Sequence, residues 1–245
     1  MRPTAAGAVV DRIDNRVVGR QRWRDLLFLH QAIALERLRP LVPSPLGVDT
    51  FDGQAWVTLI PLAILGSRPV GAPAPLGIDF LEINLRTYVR SPAGESGIYF
   101  FSLDASSWLA VAGARLAYAL PYFPAAMASH RDADGTVHFR STRWAGPRAT
   151  LDVSWRPGEP LGTAIPGTLD HFLIERYVLF ASRGRRLYRA RVRHRSYPLC
   201  AVTCEVRHES LLAAAKLPLL VPPAGRAHYS PGVDVDVCWR QRVRT

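Results

Sequence analysis

A strict two-residue alternation in the segment DFLEINLRTYVR, residues 79–90, is the strongest structural signal in this sequence. Side chains of a β-strand point to opposite faces in turn, so the segment predicts one strand with an apolar and a polar face. The polar positions are Glu82, Asn84, Arg86, Tyr88 and Arg90. The pattern alone leaves open whether this polar face is solvated surface or the lining of a cavity.

Similar patterns predict an α+β fold that is mainly antiparallel β. We expect strands or extended segments in WRDLLFLH, AWVTLIPLAIL, IYFFSLDA, TVHFRSTRW, ATLDVSW, RRLYRARVRHRSYPL, CAVTCEVRHE and VDVDVCW. We expect helices in QAIALERLR, WLAVAGARLAYAL, TLDHFLIERYVLF and SLLAAAKL. Ser106 or Ser107 can cap the second helix, Pro121 ends it, and its nearly all-round apolar surface predicts burial. So many strands favour a closed or strongly curved sheet, because closure protects strand edges.

The length of 245 residues suits one large domain, and we expect a loose N-terminal arm over residues 1–20 followed by a single domain over 21–245. No apolar run approaches the roughly 20 residues that cross a bilayer, so no membrane association is expected. The first residues lack the apolar core of a secretory signal, and the three cysteines lack metal-type spacing. We therefore expect a cytoplasmic protein.

The net charge of +11 comes almost entirely from arginine, because Lys216 is the only lysine among 31 basic residues. Nucleic-acid binders usually mix both residue types and interleave exposed aromatic residues. The alternating arginines at 189–195 favour a solvated face, with nucleic-acid binding as the weaker alternative. A small-molecule ligand is the expected partner, and the sequence leaves the oligomeric state open.

Glu82 and Arg86 are the leading candidate site residues, since they share one face two strand positions apart. A buried glutamate whose pKa is raised can act as a general base or acid, and a guanidinium can bind a carboxylate with two hydrogen bonds. Asn84 is a further candidate for ligand binding, and Tyr88 for proton transfer. The alternatives are a Glu–Arg pair that only sets the strand register, or a solvated outer face.

Other candidates lie elsewhere in the chain. Arg115, on the apolar helix, must reach solvent or find an anion, because an unpaired buried charge is very costly. His194 lies among tyrosine, alanine and valine and is a candidate proton donor, although a core histidine bonded to the backbone is the commoner case. His30 and His228 leave the same two interpretations open. Asp104 directly precedes the helix, so capping is favoured over catalysis.

The sequence predicts neither a metal site nor a cofactor. It contains no HExxH motif, no P-loop, no dinucleotide-binding fingerprint and no G-x-S-x-G nucleophile elbow.

Five ordered motifs resemble the bacterial YqjF-like domain-of-unknown-function family: LVPSPLGVDTFDGQAWVTLIP, LEINLRTYVR, GIYFFSLDA, ARLAYALPYF and AHYSPGVDV. The resemblance runs roughly from Trp23 to Trp239. Through LVPSPLGVD, LGIDFLE and LAVAGARLAY, the family is similar to the acetoacetate decarboxylase-like superfamily. This similarity implies a cone-shaped antiparallel β-barrel with flanking helices and an internal pocket. The polar strand face would line that pocket, and Leu81, Ile83 and Leu85 would pack under helices.

The resemblance also suggests roles for some residues. It aligns Glu82 with a glutamate of the decarboxylases and Arg24 with an arginine near their chain start, so Arg24 joins Arg86 and Arg115 as an expected anion ligand. Thr58 departs from the superfamily, which has a second acidic residue there.

A further departure concerns the lysine with which acetoacetate decarboxylase forms a Schiff base, shortly after an Ala-Tyr pair. Here Ala117 and Tyr118 are followed by Ala119, Leu120 and Pro121. Without an amine at that place, imine catalysis has no nucleophile. We therefore expect a pocket for a small anionic or carbonyl-bearing metabolite. It would support lysine-independent lyase, isomerase or cyclase chemistry or, alternatively, binding or sensing without turnover.

Overall fold

β-Strands form most of the computed structural model, which describes residues 16–184, 186–218 and 226–243. The strands are β1 (Val17–Ile33), β2 (Gly47–Val48), β3 (Ala55–Pro69), β4 (Ile78–Arg90), β5 (Ser96–Ala105), β6 (Tyr122–Arg131), β7 (Val137–Arg143), β8 (Thr150–Gly162), β9 (Val178–Arg183), β10 (Arg186–Arg193), β11 (Leu199–Glu209), β12 (Arg226–Cys238) and β13 (Gln241–Arg242). The helices are α1 (Leu35–Leu38), α2 (Trp108–Tyr118), α3 (Leu169–Ile174) and α4 (Leu211–Ala214). Residues 17–20 of the predicted arm belong to β1, and residues 1–15 lie outside the described residues.

The strand pairings return to their starting point. From β12 the sheet passes through β1, β3, β4 and β5, each antiparallel to the next. β5 pairs in parallel with β9, which pairs with β10, and β10 pairs back with β12. A second path leaves β5 through β6, β7, β8 and β11 and also reaches β12. The mainly antiparallel sheet predicted from the sequence is therefore confirmed.

Both faces of β4 are buried, because each faces a different hydrophobic cluster. Ile83 and Leu85 belong to a cluster that contains residues of β7, β8 and α4. The superfamily resemblance implied that these side chains pack under helices, but strands supply much of their packing. On the opposite face, Tyr88 belongs to a second cluster with residues of β1, β3 and α3.

The predicted helix α2 is present, and the Ser107 side chain caps it by accepting a hydrogen bond of 3.3 Å from the Ala110 backbone N–H. Its predicted burial is wrong. Trp108 is 68% exposed and Leu116 74% exposed, while Val111 is the helix's buried residue. Because nearly every position of α2 is apolar, the sequence does not show which side of the helix faces inward. In the structure α2 connects β5 to β6 and lies at the surface. Among the described residues, no helix has the length and apolar character needed to span a membrane.

The other three predicted helices are shorter than expected, and the one in SLLAAAKL forms only Leu211–Ala214. In the segment QAIALERLR, the residues up to Ile33 belong to β1, so the helix α1 has only four residues. The segment TLDHFLIERYVLF ends its helix at Ile174, and Val178 begins β9. Pairing of β9 with β5 and β10 outweighs the local helix preference. β6 carries no two-residue alternation of polar and apolar residues and was not expected as a strand.

The close antiparallel pairing of β12 with β1 requires glycine at position 232. Gly232 has a φ of +127°, and a Cβ atom there would lie 2.0 Å from the Trp23 carbonyl oxygen. We expect Gly232→Ala to lower the free energy of unfolding by about 1–3 kcal/mol, since backbone strain and overpacking add. Urea unfolding measures this, with Gly113→Ala in α2 as the control, because its added Cβ meets nothing within 4 Å. Equal unfolding midpoints for Gly232→Ala and the wild type would contradict the prediction.

Candidate functional site

Glu82 lies in the interior, with 5% of its surface exposed, and accepts a hydrogen bond of 2.6 Å from the Tyr122 hydroxyl. β4 supplies the glutamate and the first residue of β6 supplies the tyrosine. Burial raises the pKa of Glu82 to about 7; the Tyr122 bond opposes this rise and the charge of Asp104 adds to it. Burial also raises the pKa of Tyr122 well above its ordinary value, so the phenol remains a donor. A carboxyl group with a pKa near 7 can both take up and return a proton at neutral pH.

Asn84 and Arg86 lie on the same buried face of β4 as Glu82, and each has a polar atom that forms no hydrogen bond among the described residues. The Asn84 Oδ1 and Arg86 Nε atoms are buried and have no hydrogen-bond partner among the described residues. The Arg86 Nη2 group donates to the Leu173 carbonyl oxygen at 3.1 Å, and the guanidinium lies 6.0 Å from the Phe28 ring centroid. A buried polar group without a partner costs about 1–3 kcal/mol. Asn84 Oδ1 can therefore accept, and Arg86 Nε can donate, one further hydrogen bond.

Glu82 and Arg86 do not pair with each other in the described part of the chain, because each has another partner. A Glu–Arg pair that only sets the register therefore does not account for them. Exposed fractions of 5% for each residue also rule out a solvated outer face.

Tyr88 belongs to a separate buried group of hydrogen bonds. Its hydroxyl donates to the Leu173 carbonyl oxygen at 2.8 Å and lies 2.5 Å from the Thr58 hydroxyl. Thr58 in turn lies 2.8 Å from Nδ1 of His30. Burial raises the pKa of Tyr88 and lowers that of His30 far below its ordinary value, so both side chains are neutral at neutral pH.

The group continues toward solvent through a second histidine. Nε2 of His30 lies 3.4 Å from Nδ1 of His228, and Nε2 of His228 lies 3.2 Å from an Asp170 carboxylate oxygen. Asp170 also pairs with Arg226. The two histidines, which the sequence left open as core or chemical residues, thus join the interior to a partly exposed carboxylate.

His194 lies at another place, beside a cavity of about 400 Å³. Its Nδ1 atom is 2.7 Å from the Arg195 carbonyl oxygen, and its ring lies between 4.6 and 5.9 Å from three aromatic rings, of Tyr197, Tyr177 and Trp23. Burial lowers its pKa, and its Nε2 atom has no hydrogen-bond partner among the described residues. His194 contacts neither Glu82 nor Tyr88 through a hydrogen bond in that part of the chain.

Several charged residues contribute to the lining of the cavity beside His194. The residues that line it are Glu95, Ser96, Glu175, Arg176, Tyr177, Val178, Arg191, Val192, Arg193 and His194. The prediction that the arginines at 189–195 all face water is wrong for Arg189, which is 8% exposed and donates to Glu95 at 3.1 Å. The pairing of β10 with β9, and of β9 with β5, brings this arginine to Glu95, which directly precedes β5.

Of the other two predicted anion ligands, only Arg115 lies near Glu82. Its Nε group donates to the Tyr122 carbonyl oxygen at 2.7 Å, on the exposed side of the Glu82–Tyr122 pair. Arg24 instead donates at 2.6 Å to Asp234, which is 76% exposed, and to the Val233 carbonyl oxygen. Those contacts hold Arg24 on the outer surface, away from the polar face of β4.

Sequence reasoning missed Tyr122 and the role of Asp104. Asp104 forms a buried two-bond ion pair with Arg143 and does not cap α2. Tyr122 follows Pro121 in the motif ARLAYALPYF, where no periodicity distinguishes it. Its position becomes apparent only from the parallel pairing of β6 with β5, which brings it beside β4.

Comparison of the sequence with known proteins identifies a family. The DUF2071 family model, described as an uncharacterized conserved protein, matches residues 20–234. The uncharacterized protein YqjF of Bacillus subtilis (strain 168) is 40% identical over 188 residues, which are 76% of this chain and 77% of YqjF.

Solved structures share the fold at low sequence identity. Acetoacetate decarboxylase from Legionella pneumophila has a TM-score of 0.63 at 12% identity, covering 100% of this chain and 98% of its own. The enduracididine biosynthesis enzyme MppR, solved with the condensation product of pyruvate and imidazole 4-carboxaldehyde, has a TM-score of 0.65 at 10% identity, covering 93% and 90%. The predicted likeness to acetoacetate decarboxylase is thus confirmed for the fold. With its family match over most of the chain and its identity to YqjF, this chain belongs to the YqjF-like DUF2071 family.

Proposed function

We propose that this protein binds a small anionic or carbonyl-bearing metabolite on the buried polar face of β4, and that Glu82 and Tyr122 perform acid–base chemistry on it. One observation carries the proposal. A buried carboxyl group with a pKa of about 7, the half-buried phenol bonded to it and two buried polar atoms without partners among the described residues lie on or beside the same face of β4. Satisfied cores leave few such atoms, whereas ligand sites use them.

The fold supports the choice of ligand. We infer that the closed path of strand pairings forms a cone-shaped barrel like that of the acetoacetate decarboxylases, with the polar face of β4 inside. MppR has been solved with pyruvate, an oxo acid, at a TM-score of 0.61 to this chain. An oxo acid offers a carbonyl group for the Glu82–Tyr122 pair and a carboxylate for a guanidinium, either Arg86 inside or Arg115 at the exposed side.

The chemistry that these groups support requires no imine. Lys216, the only lysine, is exposed just after α4. Tyr122 follows Pro121, close to where the decarboxylases carry their lysine, and a phenol cannot form a Schiff base. The Glu82 carboxylate would instead remove a proton from the carbon next to the carbonyl group. Tyr122 would stabilise the resulting enolate oxygen with its hydrogen bond, and protonated Glu82 would return the proton to carbon or to a leaving group.

Binding without turnover is the second candidate, and two hydrogen bonds to one carbonyl oxygen favour it. Arg86 and Tyr88 both donate to the Leu173 carbonyl oxygen in α3. A carboxylate that recruits Arg86 would compete with that carbonyl and weaken the attachment of α3. Ligand binding would thus change the position of α3, and a sensing module requires such a ligand-dependent change of conformation.

NMR in D₂O with a panel of 2-oxo and 3-oxo acids tests the proposal. We expect the wild type to broaden the signals of at least one acid and to exchange its proton next to the carbonyl group. Glu82→Gln should lower that exchange rate at least about 100-fold, the lower range of general-base contributions. Glu36→Gln makes the same chemical change on an exposed residue of α1 and should exchange as fast as the wild type.

The other outcomes are equally informative. Equal broadening by the wild type and Glu82→Gln without any exchange or product would overturn the catalytic role and support the sensing alternative. No broadening by any acid would reject this ligand class for the polar face of β4.

A further inference from the structure

The outer end of the β6–β7 hairpin brings two histidines and an aspartate together. His130 and His138 are directly opposite each other in the antiparallel ladder, and their rings stack with centroids 4.7 Å apart and planes inclined by 8°. Asp132 places one carboxylate oxygen 3.6 Å from Nε2 of His130 and the other 2.8 Å from Nε2 of His138. One ligand atom from each of the three residues lies within 4.8 Å of the others.

We propose that His130, Asp132 and His138 bind a first-row transition-metal ion of the zinc class. Zinc bonds to imidazole nitrogen and carboxylate oxygen are about 2.0–2.2 Å long, so ligand atoms around a tetrahedral ion lie roughly 3.3–3.5 Å apart. The observed separations reach that spacing through small side-chain rotations. Two imidazoles and one carboxylate suit zinc, copper or nickel, whereas magnesium and calcium prefer oxygen ligands throughout. The set leaves a coordination position open for water or another ligand.

The backbone at the hairpin turn is already held in place. The Asp132 N–H donates to the Thr136 carbonyl oxygen at 2.8 Å, and the Gly135 N–H donates to the Asp132 carbonyl oxygen at 3.0 Å. A ligand set on a fixed turn loses little backbone freedom when it binds an ion. The metal therefore has to order only three side chains.

Neighbouring cations do not compete for Asp132 within the described ranges. Arg131 pairs with Asp25 at 2.5 Å, and Arg156 pairs with Asp134. The ion pairs of Asp132 in those ranges are with the two histidines alone. A metal ion would thus replace histidine contacts without breaking an arginine pair.

This site is independent of the function proposed for β4. His130 is eight residues along β6 from Tyr122, about 26 Å at the rise of a β-strand. Failure of either proposal therefore leaves the other untouched. The sequence alone does not indicate the site, because the eight-residue separation of the two histidines becomes meaningful only once the hairpin register pairs them.

Zinc titration of the full chain by isothermal titration calorimetry tests the proposal. We expect the wild type to bind one ion per chain, and His130→Ala and His138→Ala each to weaken that binding at least about tenfold. His208→Ala removes an exposed histidine of β11 and serves as the matched control, with unchanged affinity expected. The three replaced histidines are exposed or partly exposed, and circular dichroism checks that the variants keep the fold.

Cobalt(II) gives a second readout through the visible absorption of the bound ion, which should be lost in the His138→Ala variant. Absence of zinc binding by the wild type would overturn the proposal. So would full binding by both His130→Ala and His138→Ala, which would assign the ion to cysteines or to the interior histidines, or an equal loss in His208→Ala.

Discussion

Replacing Arg143 by methionine is expected to lower the free energy of unfolding by about 3–5 kcal/mol, the usual cost of breaking a buried ion pair. Arg143 and Asp104 form two hydrogen bonds, of 2.8 and 2.5 Å, and their side chains are only 2% and 1% exposed. The guanidinium also lies 4.1 Å from the Phe123 ring centroid. Its removal leaves the Asp104 carboxylate inside the protein without a compensating charge. Urea unfolding at pH 7 measures the loss.

Two further variants separate the buried charge from other effects. Arg143→Met combined with Asp104→Leu removes both charges and is expected to recover most of the loss, because a buried pair contributes little net stability. Arg140 lies on β7, as Arg143 does, and forms a surface ion pair with Asp152 of β8, so Arg140→Met should cost less than about 1 kcal/mol. A loss for Arg143→Met no larger than that for Arg140→Met would contradict the prediction.

The second large effect concerns pH. Folding raises the pKa of Glu82 from 4.5 to about 7, so between these values the folded state keeps a proton that the unfolded chain releases. The contribution of Glu82 is therefore complete below pH 4.5 and is lost as the pH rises through 7. The expected loss in the wild type is about 3 kcal/mol. Glu82→Gln carries no ionisable group there, so this loss should be absent.

Urea unfolding at pH 5 and pH 8 gives the change in the free energy of unfolding between the two pH values for each protein. The effect of Glu82 is the change in the wild type minus the change in Glu82→Gln. The interior histidines act with the opposite sign, because folding lowers the pKa of His30, His194 and His228 and stability rises with pH through their titration. They are present in both proteins and cancel. Glu36→Gln, on the surface, should follow the wild type. Parallel pH dependences for the wild type and Glu82→Gln would mean that folding does not shift the Glu82 pKa.

The sequence indicated β4 and its two faces because alternation is a local property of the chain. It could not indicate that the polar face is buried, since alternation distinguishes polar from apolar sides and not water from interior. For Glu82 and Arg86, the family resemblance supplied that expectation and the burial in the structure agrees with it. The same limit explains the wrong expectation for α2, whose apolar residues marked no inward side.

The sequence could not predict contacts between residues that are far apart along the chain. Tyr122 reaches Glu82 only because β6 lies parallel to β5, and Thr58 joins His30 to Tyr88 only because β3 lies between β1 and β4. Each of these contacts spans at least 28 residues of sequence. Their residue types are ordinary for strands, so neither composition nor spacing distinguishes them.

The two paths of strand pairing share the strands from β12 to β5, and a separate hydrophobic cluster packs on each face of β4. Odd-numbered and even-numbered residues of β4 therefore face different clusters. Ile83 and Leu85 face one cluster, and Glu82 and Tyr88 face the other. Apolar residues fill both clusters and stabilise the shared strands from either side. The polar residues Glu82, Asn84 and Arg86 are therefore not required to hold these shared strands together.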